Sequence, residues 1–155
     1  MAATEITIEP GRHDIVITRV FDAPKERVFR AFTDPELFKR WNGPSGYDTV
    51  LDRWEAESGG TWRYVSRGEQ GEFGFRGVFH DVVPNERIVQ TFEFEGMPGH
   101  VCLETATFEE VDGRTRYTGV SVFQSVEDRD GMAASGMESG VNDGFDKLDE
   151  LLREQ

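Results

Sequence analysis

The chain has 155 residues, a formal net charge of −13, 37% hydrophobic and 12% aromatic residues, and a single cysteine. That length suits one domain with one core, and that composition belongs to a folded protein rather than a disordered segment. The acidity argues against nucleic acid and anionic membrane as partners, because phosphate binding needs clustered Lys and Arg. No apolar run reaches the length of a membrane span and Met1 to Gly11 lacks the basic-then-apolar order of a signal peptide, so a cytoplasmic location without membrane insertion is expected. Cys102 alone can make neither an internal disulfide nor a cysteine-based metal site.

In chain order, residues 1–13 are expected to be flexible and residues 14–155 to form a single domain. Asp14 to Phe21 reads as a strand. Pro24 starts a short helix carrying Val28, Phe29 and Phe32 on one face, and Asp34-Pro35 starts a second with Leu37, Phe38 and Trp41, which stops at Asn42-Gly43-Pro44. Six strands follow with turn chemistry between them: Tyr47 to Glu55, Thr61 to Ser66, Phe73 to Val83, Arg87 to Glu95, Val101 to Val111 and Arg114 to Phe123. Their short connections, the tight-hairpin pair Asp112-Gly113 among them, imply an antiparallel sheet, so the fold class is α+β with seven strands.

Ser125 to Arg153 reads as one long helical region opened by a capping box at Ser125-Val126-Glu127-Asp128, with Gly131 and Gly136 as places where it can break. Met137, Val141, Phe145, Leu148 and Leu152 stack along one side at helical spacing. Gly136, Gly140 and Gly144 form a second row, and each helical glycine costs about 1 kcal/mol against alanine. The missing side chains leave room either for closely packed protein or for a bound molecule.

Several stretches together resemble the START-like (SRPBCC, helix-grip) superfamily, and within it the bacterial proteins similar to the activator of the heat-shock chaperone ATPase. They are Asp22-Ala23-Pro24, Trp41-Asn42-Gly43-Pro44, Gly59-Gly60-Thr61-Trp62, Arg76-Gly77-Val78-Phe79, Val83 to Val89, and Gly136-Met137-Glu138-Ser139-Gly140. The resemblance spans Asp14 to Leu152. It implies a helix-grip fold, a curved sheet wrapped around the C-terminal helix with an internal cavity for an apolar small molecule. It implies no common reaction, since fold does not dictate chemistry.

Strand alternation puts Trp62 with Tyr64, Phe73 with Phe75 and Phe79, and Ile88 with Phe92 and Phe94 on shared faces. Opposite them would stand Met137, Gly140, Val141 and Phe145, with Trp41 at the mouth; the same aromatics could equally fill an ordinary core. Among polar residues, Cys102 and Glu104 share the parity of Ala106 and Phe108 and should point inward, with His100 at the entrance of that strand. Glu104 and His100 are the candidates for general acid/base work, because burial raises a carboxyl pKa. His80 and Asp81 should face opposite ways, and Arg76 should lie outward, paired to surface acids.

His13, His80 and His100 have no metal-site spacing, and no phosphate loop, nucleophile elbow or dinucleotide fingerprint is present, so no metal or cofactor is expected. The expected function is binding of a hydrophobic or amphipathic small molecule. The alternatives are a cyclase- or hydrolase-like enzyme using the same cavity, and a chaperone-interacting protein. An exposed outer strand could also pair two copies into a homodimer.

Overall fold

Asp34 shows how local chemistry sets the first elements. Its amide closes helix α1 (Lys25–Thr33) by donating to the Arg30 carbonyl, while its carboxylate opens α2 (Pro35–Trp41) by accepting from the amides of Glu36 at 2.9 Å and Leu37 at 3.4 Å. Pro35, in the first turn, has no amide to leave unsatisfied. The computed structural model describes residues 4–154.

The strands are β1 (Glu5–Thr7), β2 (Asp14–Phe21), β3 (Asp48–Trp54), β4 (Thr61–Gly68), β5 (Gly71–Val83), β6 (Arg87–Phe94), β7 (Val101–Val111) and β8 (Arg114–Val122), followed by α3 (Val126–Ala133) and α4 (Met137–Arg153). They form one antiparallel sheet in the order β1-β2-β8-β7-β6-β5-β4-β3. The fold is the expected α+β helix-grip arrangement, with eight strands rather than seven. The added strand is β1, which lies in the stretch expected to be frayed and pairs Ile6 with Ile17. Its three residues are too few to announce a strand by alternation, and only pairing with β2 defines it. Residues 1–3 lie outside the described residues.

At the β7–β8 hairpin both turn residues take positive φ, Asp112 at 52° and Gly113 at 79°, the backbone of the two-residue turn that the dipeptide Asp-Gly signals. Bulges interrupt the ladder between Phe79 and Asp81 and between Leu51 and Arg53. No helix among the described residues is long and apolar enough to cross a membrane.

The final helical region breaks at Gly136, where φ is 88°, and not at Gly131, which lies inside α3. A left-handed turn of that kind suits glycine because it has no Cβ to clash. Ser125 caps α3 by accepting from the Asp128 amide at 3.0 Å. Arg129, buried in α3, donates to the Asp14 carbonyl at 3.2 Å and pairs with Asp130, which anchors α3 to the start of β2.

Helix α4 divides into two halves along its length. Phe145, Leu148, Leu151 and Leu152 are buried in the main core with Phe21, Val28 and Phe108. Val141 and Met137, one and two turns earlier on the same stripe, are only partly buried. Arg19 on β2 reaches Asp146 at 3.2 Å and also Asp149 on this helix, its guanidinium lying 5.8 Å from the Phe145 ring centre. The C-terminal half is therefore clamped to the sheet, and the N-terminal half stands off it.

Candidate functional site

The space left by that stand-off is an aromatic-walled cleft of about 470 Å³. One wall is α4, through Met137, Gly140, Val141, Gly144 and Phe145, and the other is the sheet, through Tyr64, Phe73, Phe75 and Phe92. Trp41, Asn42 and Pro44, at the end of α2 and beyond it, form one side. Beyond Trp41, Tyr64 and Phe92, which it shares with the cleft, lies an inner cavity of about 150 Å³. A second cleft, of about 400 Å³, opens beneath α3 and shares Phe73, Phe75, Phe92 and Met132 with the first.

The glycine row serves three purposes rather than one. Gly136 supplies the left-handed break. Gly140 faces open space, the nearest atom to an added Cβ being Pro44 Cδ at 3.9 Å. Gly144 is closely packed, because a Cβ there would stand 3.0 Å from the Trp41 carbonyl oxygen. Close packing and free room thus hold at different levels of one helix. Gly140→Ala is expected to stabilise the protein by about 0.5–1 kcal/mol through helix propensity, whereas Gly144→Val should cost about 1–3 kcal/mol by overpacking against Trp41 and Gly43. Urea denaturation of the two variants checks both signs, and equal effects would contradict the division.

The wall of the inner cavity is built by strand parity. Trp62 and Tyr64 on β4 stack at 5.5 Å, Phe92 on β6 lies 5.9 Å from Trp62, and Tyr117 on β8 stacks on Phe32 of α1 at 5.2 Å. Trp54 stacks on Phe38 of α2 at 4.5 Å. The Trp41 and Trp54 indoles donate to the carbonyls of Ala31 and Thr33, at 2.8 and 2.7 Å, which fixes their orientation.

Into this aromatic surround comes one carboxyl, that of Glu104 on β7. It is half-buried and lines the inner cavity. The register explains its polar partners: Gln90 on β6 and Ser121 on β8 are the residues directly across from it. The Gln90 side-chain amide donates to Oε1 at 3.2 Å and the Ser121 hydroxyl to Oε2 at 3.4 Å. No basic side chain pairs with Glu104 among the described residues. Burial pushes its pKa up to about 7, against the opposing pull of Gln90 and Ser121. Burial also raises Tyr64 to about 12 and lifts Tyr117 and Cys102 well above their ordinary ranges, so these three remain neutral at physiological pH. The row can therefore hold or release a proton near neutrality inside an apolar enclosure.

Of the residues expected to face a cavity, Trp41, Trp62, Tyr64, Phe75, Phe92, Phe94, Met137, Gly140, Val141 and Phe145 stand on the walls of the cavity or its two clefts. Phe79 does not. It lies in solid core further along the same face, 1% exposed and edge-on to Trp54 at 5.6 Å, just before the bulge in β5. His100 forms no acid/base pair with Glu104: it lies at the exposed rim of the second cleft, its Nδ1 2.8 Å from Asp128 on α3. His80 is exposed, and Arg76 is exposed and paired with Glu93 at 3.0 Å. Sequence reasoning missed Gln90, Ser121 and Tyr117. Their signal was a polar or phenolic group at inward parity, but joining them to Glu104 needs the strand register.

Comparison with known proteins places this geometry in a family. Residues 22–153 match the family described as activator of Hsp90 ATPase homolog 1-like protein. A crystal structure of a protein from Rhodobacter sphaeroides is 27% identical over 97% of this chain and 100% of that one, with a TM-score of 0.88. A solution structure of a protein from Arthrobacter aurescens is 26% identical over 97% of this chain and 92% of that one, also at 0.88. Another from Staphylococcus epidermidis is 29% identical over 96% and 94%, at 0.80. No curated protein matches the chain. A match running from the turn before α1 to the last residue of α4, on a sheet that grips its final helix, means that the chain belongs to the activator of Hsp90 ATPase homolog 1-like family of the START-like superfamily.

Proposed function

We propose that the protein binds a hydrophobic or amphipathic small molecule between α4 and the sheet. The observation that carries this reading is the space itself: an inner cavity and an adjoining cleft with aromatic walls in common, in the place where the helix leaves the core. Apolar surface removed from water there contributes about 25 cal/mol per Å² to affinity, and a mostly apolar concavity with a few convergent polar groups is the usual form of a small-molecule site. Bringing Gly140 to leucine should keep the fold, because that position meets open space, and should abolish uptake by filling the cleft. Native mass spectrometry and thermal shift with panels of lipids and aromatic polyketides read the outcome. A variant that binds as well as the parent, or a parent that binds nothing, contradicts the proposal.

A second reading has one observation in its favour. The outer face of the sheet carries exposed Val78, Leu103 and Val122, the last two directly paired across β7 and β8, and the family description names a chaperone activator. A protein partner would use that face rather than the cavity. Charged substitutions at Leu103 and Val122 should then abolish co-purification with the chaperone; if no chaperone is recovered with the parent protein, this reading is dropped.

A further inference from the structure

The inner cavity has a one-sided chemistry. Its ionisable wall residues are Glu104, Tyr64 and Tyr117, and no Lys, Arg or His stands among its described lining. The adjoining cleft of α4 likewise has no basic residue along it. A ligand carrying a carboxylate or phosphate would find no countercharge and would meet the Glu104 carboxyl instead. Around Glu104 the rings of Trp41, Trp62, Tyr64, Phe92 and Tyr117 make up much of the wall, and aromatic rings attract cations. The net charge of −13 adds a long-range field of the same preference.

Resting on the small-molecule reading above, we propose that the ligand is a lipophilic amine, its protonated nitrogen held by Glu104 inside the aromatic wall and its apolar body lying along the cleft toward Phe75 and Val141. Gln90 and Ser121 hold the two carboxylate oxygens from either side and so aim the group. The inner cavity, at about 150 Å³, is of the size that accepts a benzene-sized group; the rest of the ligand extends into the cleft. Binding draws Glu104 into its ionised form, and the proton it held passes to solvent.

This fixes the direction of the pH dependence. The titratable groups facing Glu104 are Tyr64 on β4, Tyr117 on β8 and Cys102 on its own strand, all raised by burial and neutral throughout the range of interest. The helices packed over the cavity contribute only Phe32, Phe38 and Trp41 to its lining. Glu104 is thus the group that titrates, and with its pKa at about 7 the ionised fraction rises about tenfold between about pH 6 and about pH 8. An alkylammonium keeps its proton over that range.

The test uses three probes of matched shape, phenylbutylamine, phenylbutanol and phenylbutyrate, titrated calorimetrically into the full chain at about pH 6 and about pH 8. The amine is expected to bind most tightly and the acid most weakly, and amine affinity should rise about tenfold at the higher pH. Glu104→Gln should remove that rise and weaken the amine at least tenfold at the higher pH, a larger loss than it causes for the alcohol. Tighter binding of alcohol or acid, amine affinity that falls with pH, or an amine indifferent to Glu104→Gln overturns the amine assignment and leaves the small-molecule reading standing. Failure of all three probes to bind overturns both. The parent's ranking of the three probes decides the matter even if the variant does not fold.

Discussion

Replacing Phe145 by alanine is expected to destabilise the protein by about 3–5 kcal/mol. The ring is 5% exposed and is the meeting point of four elements. It packs on Phe21 of β2 at 5.2 Å, Tyr117 of β8 at 5.4 Å, Trp41 of α2 at 6.0 Å and Phe32 of α1 at 6.5 Å, with the Arg19 guanidinium over its face. Losing the ring removes its buried area and its edge-to-face contacts, and leaves a void that these large neighbours cannot collapse to fill. It would also deprive Arg19, itself buried, of part of its enclosure. Chemical denaturation measures the loss; a value below about 1 kcal/mol would mean that Phe145 is no keystone and that α4 is held chiefly by Leu148, Leu151 and Leu152.

The second large effect is one of pH. Glu104 has its carboxyl pKa raised from 4.5 to about 7 in the folded chain, so the folded state holds a proton that the unfolded state gives up. The stability this confers is fully present below about pH 4.5, declines as the pH rises, and is gone above about pH 7. A displacement of that size corresponds to about 3 kcal/mol. Glutamine has the shape of the neutral acid, with an oxygen to accept from Gln90 and an amide to donate to the Ser121 hydroxyl, and it never ionises. Glu104→Gln is therefore expected to be more stable than the parent by up to about 3 kcal/mol at about pH 8, the gap closing toward about pH 4.5. Glu93 and Glu95, lowered by the Gly99 amide with Arg76 and by Arg63 respectively, contribute in the opposite sense, weakening the fold as the pH falls. They act equally in both proteins, so the difference between the two stability curves reports Glu104 alone. A gap independent of pH, or one that opens on the acid side, would contradict the buried-carboxyl account.

The two residues were legible in the sequence to different degrees. Phe145 belongs to a stripe at helical spacing, and an apolar stripe on a helix has one physical outcome, burial against whatever is opposite. Glu104 could be assigned to the inward face of its strand because alternation settles face without knowledge of the partner strand. Its role could not be read, because the groups that define it, Gln90 and Ser121, lie 14 and 17 residues away along the chain and come into line only through the pairing of β6, β7 and β8. His100 drew attention by residue type and proximity in sequence, yet the turn before β7 carries it to the rim beside Asp128. Phe79 keeps the inward parity of Phe75, because the bulge comes only after it, but alternation settles the face and not whether that part of the face meets a cavity or solid core.

What the sequence determined by itself is whatever depends on neighbours a few residues apart: the Asp34 cap between α1 and α2, the Asp112-Gly113 turn, the alternation of β4 to β8 and the apolar stripe of α4. Backbone sterics, capping and periodicity act over one or two turns of chain, and they are written out in order. The tertiary structure decided the pairing of β1, the separate tasks of Gly136, Gly140 and Gly144, and the lone carboxyl among aromatic rings. These depend on register and on how far one end of a helix is held from a sheet, and both are set by the packing of segments distant in the chain, where no local rule reaches.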